Sequence, residues 1–205
     1  MAGSLDGRVA VVVGAADAGP ASGLVDALVS AGAAASMRPA GQSFDDLHPD
    51  VVVFAHVVAA ALVPTPVVEL DPLAWEERCE APIRAALTTA QAAYTHLRHR
   101  DGRLIFVCPA VALEGADGLV PLATAAEAQR MLAKSAARRW GREGITVNVV
   151  TVPVGGGADA ARTAGAVHPA GGLAAAVVWL ASAGAGAGAI TGATIGADGG
   201  AVMAP

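Results

Sequence analysis

The sequence predicts an α/β fold: one doubly wound parallel sheet with helices on both faces, in a single domain spanning residues 1–205. Three observations predict it. Short β-branched runs alternate with longer helical patterns along the whole chain, the order that yields parallel strands joined by crossover helices. The strongest of these runs are apolar at successive positions rather than alternating, as strands covered on both faces must be. The length of 205 residues, with 54% hydrophobic and 15% charged residues, suits one well-filled core better than two.

The elements follow in order. Arg8–Val13 is a short apolar run ending at Gly14, and Ser22–Ala31 is a helix closed by Gly32. Ala33–Met37 forms a second short strand, and Asp50–Ala55 carries the strongest strand signal. A long helix spans Pro72–Arg100, opened by the cap-plus-first-turn pair Asp71 and Pro72. Arg103–Cys108 is a strand, Leu122–Trp140 a helix and Thr146–Val150 a strand. Leu173–Ala181 is a helix, and Ala193–Ile195 a last short strand before Asp198-Gly199-Gly200.

Composition excludes several classes of function. A net charge of −5 leaves no basic footprint for nucleic acid. Arg98, Arg100, Arg103, Arg138, Arg139 and Arg142 read as helix-end charges. Cys79 and Cys108 suggest a reduced compartment rather than a disulfide framework. The start of the chain lacks the apolar core of a signal peptide, and the apolar stretch Leu173–Ile195 is broken by glycines and small polar residues. A cytoplasmic protein without a membrane partner is expected.

Four stretches carry a family resemblance. They are Leu5-Asp-Gly-Arg-Val-Ala-Val-Val-Val-Gly14, Gly102-Arg-Leu-Ile105, Gly141-Arg-Glu-Gly-Ile-Thr-Val-Asn148 and Ile190-Thr-Gly-Ala-Thr-Ile-Gly-Ala-Asp-Gly-Gly200. In this order they resemble the short-chain dehydrogenase/reductase family across nearly the whole chain. The resemblance implies a Rossmann-type doubly wound sheet. It also implies a shortened one. Ala33–Pro49 is too brief for the helix, strand and helix that the family carries after its second strand, at about 1.5 Å per helical and 3.3 Å per strand residue.

The family's T-G-x-x-x-G-x-G turn brings backbone N–H groups to a dinucleotide pyrophosphate. Here Gly14 and Gly19 match it if one extra residue is allowed, but Ala21 replaces the last glycine, Pro20 removes a donor and Asp17 adds a negative charge. The adenine wall and the ribose-selecting residue belong to the missing passage. The expectation is therefore no cofactor in this chain, with NAD(P) held by a partner subunit.

Spacing locates the family's catalytic positions. Counting from Trp75 puts Pro82 at the asparagine position, and counting from Arg103 puts Pro109 at the serine position. Thirteen residues on from Pro109, and twenty-six before Asn148, both counts reach Leu122, the tyrosine position; Ala126 follows at the lysine position. None of these side chains can move a proton, a contribution worth roughly 10²–10⁴ in rate, so no catalytic residue is expected.

Other groups suggest no replacement. His56 at a strand end reads as structural, Cys108 as an inert core thiol, and Glu114, Asp117 and Glu127 as solvated charges. His96 and His99, three apart, find no third metal ligand.

The resemblance then implies a non-catalytic subunit, paired in a hetero-oligomer with an active family member acting on a hydroxyacyl-CoA or steroid-type compound. The expected contacts are helices 72–100 and 122–140 and the apolar tail Ala201–Pro205, with Ala123, Ala125, Ala126, Ala133, Ala136 and Ala137 offering a small-residue surface. The alternatives are an oxidoreductase with relocated catalytic residues and a ligand-binding or sensor module. The stretch Val152–Gly172, where the family has its substrate lid, suggests an open or reduced one.

Overall fold

The computed structural model describes residues 4–14, 20–153, 172–182, 186–198 and 202. Its strands are β1 (Val9–Val13), β2 (Ala34–Arg38), β3 (Val51–Phe54), β4 (Arg103–Pro109), β5 (Thr146–Val152) and β6 (Thr194–Gly196). They form one sheet in the order β2-β1-β3-β4-β5-β6, every neighbouring pair parallel. The helices are α1 (Ala21–Ser30), α2 (Pro72–Trp75), α3 (Ala81–Leu97), α4 (Val111–Glu114), α5 (Val120–Trp140) and α6 (Gly172–Ala181). This is the Rossmann-type architecture expected. Among the described residues no helix is long and apolar enough to cross a membrane.

Successive strand residues point to opposite faces, and the core divides accordingly. Val11, Val52, Phe54, Leu104, Phe106, Val147 and Val149 pack with residues of α3 and α5. Val12, Val51, Val53, Ile105, Val107 and Val150 pack with α1 and α6 through Leu24, Leu28, Val177 and Leu180. The alanines of α5 belong to this packing. Ala125, Ala126, Ala133, Ala136 and Ala137 are buried within the chain, and Ala123 and Ala128 are half-buried. The small-residue surface expected to meet a partner therefore lets α5 approach its own sheet. The outward face of α5 carries Thr124, Met131, Ser135 and Arg138 instead.

The shortening after the second strand is visible. β2 is the edge of the sheet, and residues 39–50 lead directly to β3 on the far side of β1. Phe44 in this connection is 2% exposed and joins the α3–α5 side of the core. Asp50 ends the passage by accepting from the Val9 amide at 3.0 Å and from Arg100 at 3.1 Å.

The long helix expected over 72–100 is interrupted. Asp71 does cap it, accepting from the Ala74 amide at 2.8 Å with Pro72 in the first turn. A π-helical turn over Glu76–Glu80 then separates α2 from α3. Pro82 supplies the reason, because its ring has no N–H and crowds the carbonyl four residues back, at Arg78. The helix stops at Leu97, and His99 and Asp101 turn the chain with positive φ of 63° and 52°. Gly102 follows under close contact: a Cβ there would lie 2.5 Å from the Leu97 Cβ and 2.6 Å from its carbonyl oxygen. Arg103 is no helix-end charge but the first residue of β4, 1% exposed.

Candidate functional site

An open parallel sheet places its ligand crevice at the carboxyl ends of the strands, where the strand order reverses. Here the reversal lies between β1 and β3. Gly14 ends β1 at that point, and a Cβ on it would meet the Ala21 Cβ at 2.7 Å and the Ala55 oxygen at 3.0 Å. Only glycine lets α1 and the end of β3 come so close. The Gly14 amide donates to the Arg38 carbonyl at 3.0 Å. Arg38 stands opposite Val13 at the carboxyl end of β2. One of its terminal nitrogens is 2.9 Å from Asp46, while its buried Nε has no partner among the described residues. Gly19 and Asp17 lie outside the described residues, as do 154–171 of the lid stretch and all of the tail but Val202. α1 begins directly after Pro20, with no side chain capping its first turn.

The four positions reached by counting come together. Pro82 from α3, Pro109 from the end of β4, and Leu122 and Ala126 from α5 line one cavity with His56, Arg78 and Gln129. It measures about 10 Å³, close to the least space that holds one water. Leu122 is 5% and Ala126 1% exposed, and Ala61 and Val111 pack against Leu122. A larger open groove of about 670 Å³ runs along the second half of α5, lined by Met131, Lys134, Arg138 and Gly192, apart from these strand ends.

The remaining candidates sit as follows. His56, half-buried at the end of β3, has a buried Nδ1 without a hydrogen-bond partner among the described residues. Burial pulls its pKa below the ordinary value. Cys108 is fully buried, donates to the Gln129 Oε1 at 3.4 Å, and burial pushes its thiol up to about 12; it is not a nucleophile in this environment. Glu127 is clasped by Arg130 at 2.7 and 2.8 Å. Glu114 and Asp117 are exposed. His96 bonds Asp45 at 2.7 Å, and hydrogen bonds from Ser43 and His96 hold that carboxyl below its ordinary pKa. His99 lies beyond the helix, so the pair does not share a helix face. No cluster of three or more potential metal ligands forms among the described residues.

Arg38, Arg78 and Gln129 were not anticipated. Each had a signal. Arg38 closes a strand twenty-four residues after Gly14, the neighbourhood from which a dinucleotide's ribose is read. Arg78 lies four before Pro82 on the same helical stretch, and Gln129 lies seven after Leu122 and three after Ala126, the spacing of one helix face.

Comparison with known proteins agrees with this architecture. A family profile described as "Enoyl-(Acyl carrier protein) reductase" matches residues 25–202. No curated protein sequence matches the chain. Among solved structures, a short-chain dehydrogenase/reductase from Serratia marcescens is 23% identical, with a TM-score of 0.77, covering 96% of this chain and 98% of that one. A blue fluorescent protein from a metagenomic library, solved with NADPH, is 22% identical with a TM-score of 0.77, over 98% of this chain and 100% of that one. A short chain dehydrogenase from Burkholderia cenocepacia, solved with NADP, is 20% identical with a TM-score of 0.77, over 97% and 99%.

These structures overturn the expectation that this chain has no place for a cofactor. The same fold holds NADPH and NADP in two of them, and Gly14 and Arg38 stand at the carboxyl ends of β1 and β2, where such a sheet takes its ligands. At the end of β2, beside Val13, the residue present is Arg38. By its sequence profile and its fold, the chain belongs to the short-chain dehydrogenase/reductase family.

Proposed function

We propose that this chain is a dinucleotide-binding member of the family that does not itself carry out the proton transfer, and that it serves as a subunit paired with a catalytically active family member. The observation that carries the reading is the cavity shared by Pro82, Pro109, Leu122 and Ala126. An active reductase needs a group there that gives and takes a proton. Here the convergent side chains at those positions are apolar and leave room for about one water.

The nucleotide class follows from Arg38. A guanidinium at the end of the second strand favours a ribose 2′-phosphate, hence NADP(H) over NAD(H). Gly14 would let the backbone reach the pyrophosphate, and the first turn of α1 would face it. Such a nucleotide supplies a hydride when bound; the chain's part is to hold and orient it. Pairing is supported by apolar side chains left outside the core, with Val67 59%, Val68 89%, Leu73 74% and Met131 53% exposed.

The test is to express the chain alone and together with an active family member from the same source. Native mass spectrometry should find a mixed oligomer. The isolated chain should quench or shift NADPH fluorescence yet oxidise no NADPH with enoyl or keto compounds. Turnover by the isolated chain would overturn the reading, as would a homo-oligomer that ignores the active member.

A further inference from the structure

The residual cleft contains two unanswered donors. His56 and Arg78 both line it, and the His56 Nδ1 and Arg78 Nε are buried without a hydrogen-bond partner among the described residues. Folded proteins rarely leave such atoms unpaired, and two at one cavity call for an acceptor. Arginine Nε can only donate, and a neutral imidazole can donate from Nδ1. Gln129 adds to the imbalance. Its carbonyl oxygen accepts from Cys108, and its NH₂ group is a further donor. Arg78 binds Thr65 through a terminal nitrogen at 2.8 Å and forms no ion pair among the described residues.

We propose that His56 and Arg78 form a binding site for the carboxylate of a short acyl compound. Arg78 supplies a fixed positive charge and an unpartnered donor, and His56 can donate beside it, so an anionic oxygen is the fitting occupant. Desolvation disfavours the charged ring of His56, so the fixed positive charge is that of Arg78. The space of about 10 Å³ admits one oxygen of the carboxylate, and the rest of the ligand would lie outside it. Around it Val58, Ala61, Pro82 and Leu122 offer only carbon to a ligand's first methylenes. The turn Ala59–Leu62 leads outward to Leu62, 42% exposed, and Val63, 55% exposed, where an alkyl chain can continue.

This inference rests on the reading that the cleft no longer transfers protons, but its test measures binding. Turnover by the isolated chain would therefore sink that reading without deciding this one. The full chain, with ¹⁵N-labelled histidines, is titrated with butanoate and separately with butanamide, and the imidazole nitrogens are followed by NMR. The His56 signals are assigned by their loss in His56→Asn. Butanoate should shift them saturably, and butanamide should bind far more weakly. Arg78→Met should weaken butanoate at least about tenfold, the loss of one charge-assisted hydrogen bond. Unmoved His56 signals, equal effects of acid and amide, or undiminished affinity in a folded Arg78→Met chain would each overturn the proposal. The comparison of acid with amide on the unaltered chain decides the matter even if the variant does not fold.

Discussion

Arg103 and Asp101 form a two-pronged ion pair across a single intervening glycine, with Nη1–Oδ1 and Nη2–Oδ2 both at 2.8 Å. Arg103 is buried at the amino end of β4, while 59% of the Asp101 side chain is exposed. The guanidinium also reaches the Asp101, Gly102 and Ser182 carbonyls. It thereby ties the start of a central strand to the chain beyond α6. Asp101→Asn keeps a residue tolerant of positive φ but removes the counter-charge. It should lower unfolding free energy by about 1.5–3 kcal/mol, the range for hydrogen bonds to charged groups, seen as a lower urea midpoint at unchanged slope.

Gly102 sits between that pair and the end of α3. Its missing side chain is required by space, since a Cβ would strike the backbone of Leu97. Gly102→Ala should cost about 1–3 kcal/mol as an overpacked contact, measured by thermal or denaturant unfolding. Gly23→Ala is the control: that glycine has open space at its Cβ position inside α1, and the change should stabilise by about 0.4–1 kcal/mol.

Restoring the family's tyrosine by Leu122→Tyr tests the closed cleft. The cavity offers about 10 Å³, less than a phenol needs beyond the volume of leucine. The variant should lose about 1–3 kcal/mol of stability. Unaltered stability in calorimetry would mean that the cleft opens more readily than its packing suggests.

His56 gives a pH dependence whose sign is fixed. Its folded pKa lies below the unfolded value of 6.5 because burial disfavours the charged ring. The unfolded chain therefore binds more protons as pH falls through that region, and stability must fall with it. The contribution is intact above pH 6.5, declines below it, and levels off beneath the folded pKa. Denaturant midpoints measured on either side of that pH should show the decline, and His56→Phe should flatten it.

Cys108 and Cys79 are buried, and burial is the first cause raising both thiols above their ordinary pKa. Neither should react with a disulfide reagent in the native chain. Both should titrate promptly once it is unfolded, as a colorimetric thiol count can follow.

Much of this was legible in the chain because it rests on local signals. The apolar run before Gly14, the cap at Asp71 and the spacing from Pro109 to Leu122 depend on neighbours in sequence, and each is found where it was expected. What escaped depends on contacts between distant segments. Arg103 looked like a helix-end charge because nothing local shows that Ser182 and Asp101 will enclose it. The α5 alanines looked like a surface because composition cannot say which way a helix turns its small face. Arg38 was overlooked because attention went to the missing passage that follows it. Its place beside Val13 is set by sheet pairing rather than by any motif.

The shortened passage has a consequence beyond the crevice. With nothing paired outside it among the described residues, β2 runs along the border of the sheet with half its main-chain donors and acceptors unclaimed by a neighbouring strand. Such a border is a template for any extended chain that comes alongside. What discourages it here is modest: five residues of length, the charge of Arg38, and Pro39, which has no N–H to give. The short connection after β2 thus leaves the molecule one side on which its sheet could be lengthened by a stranger.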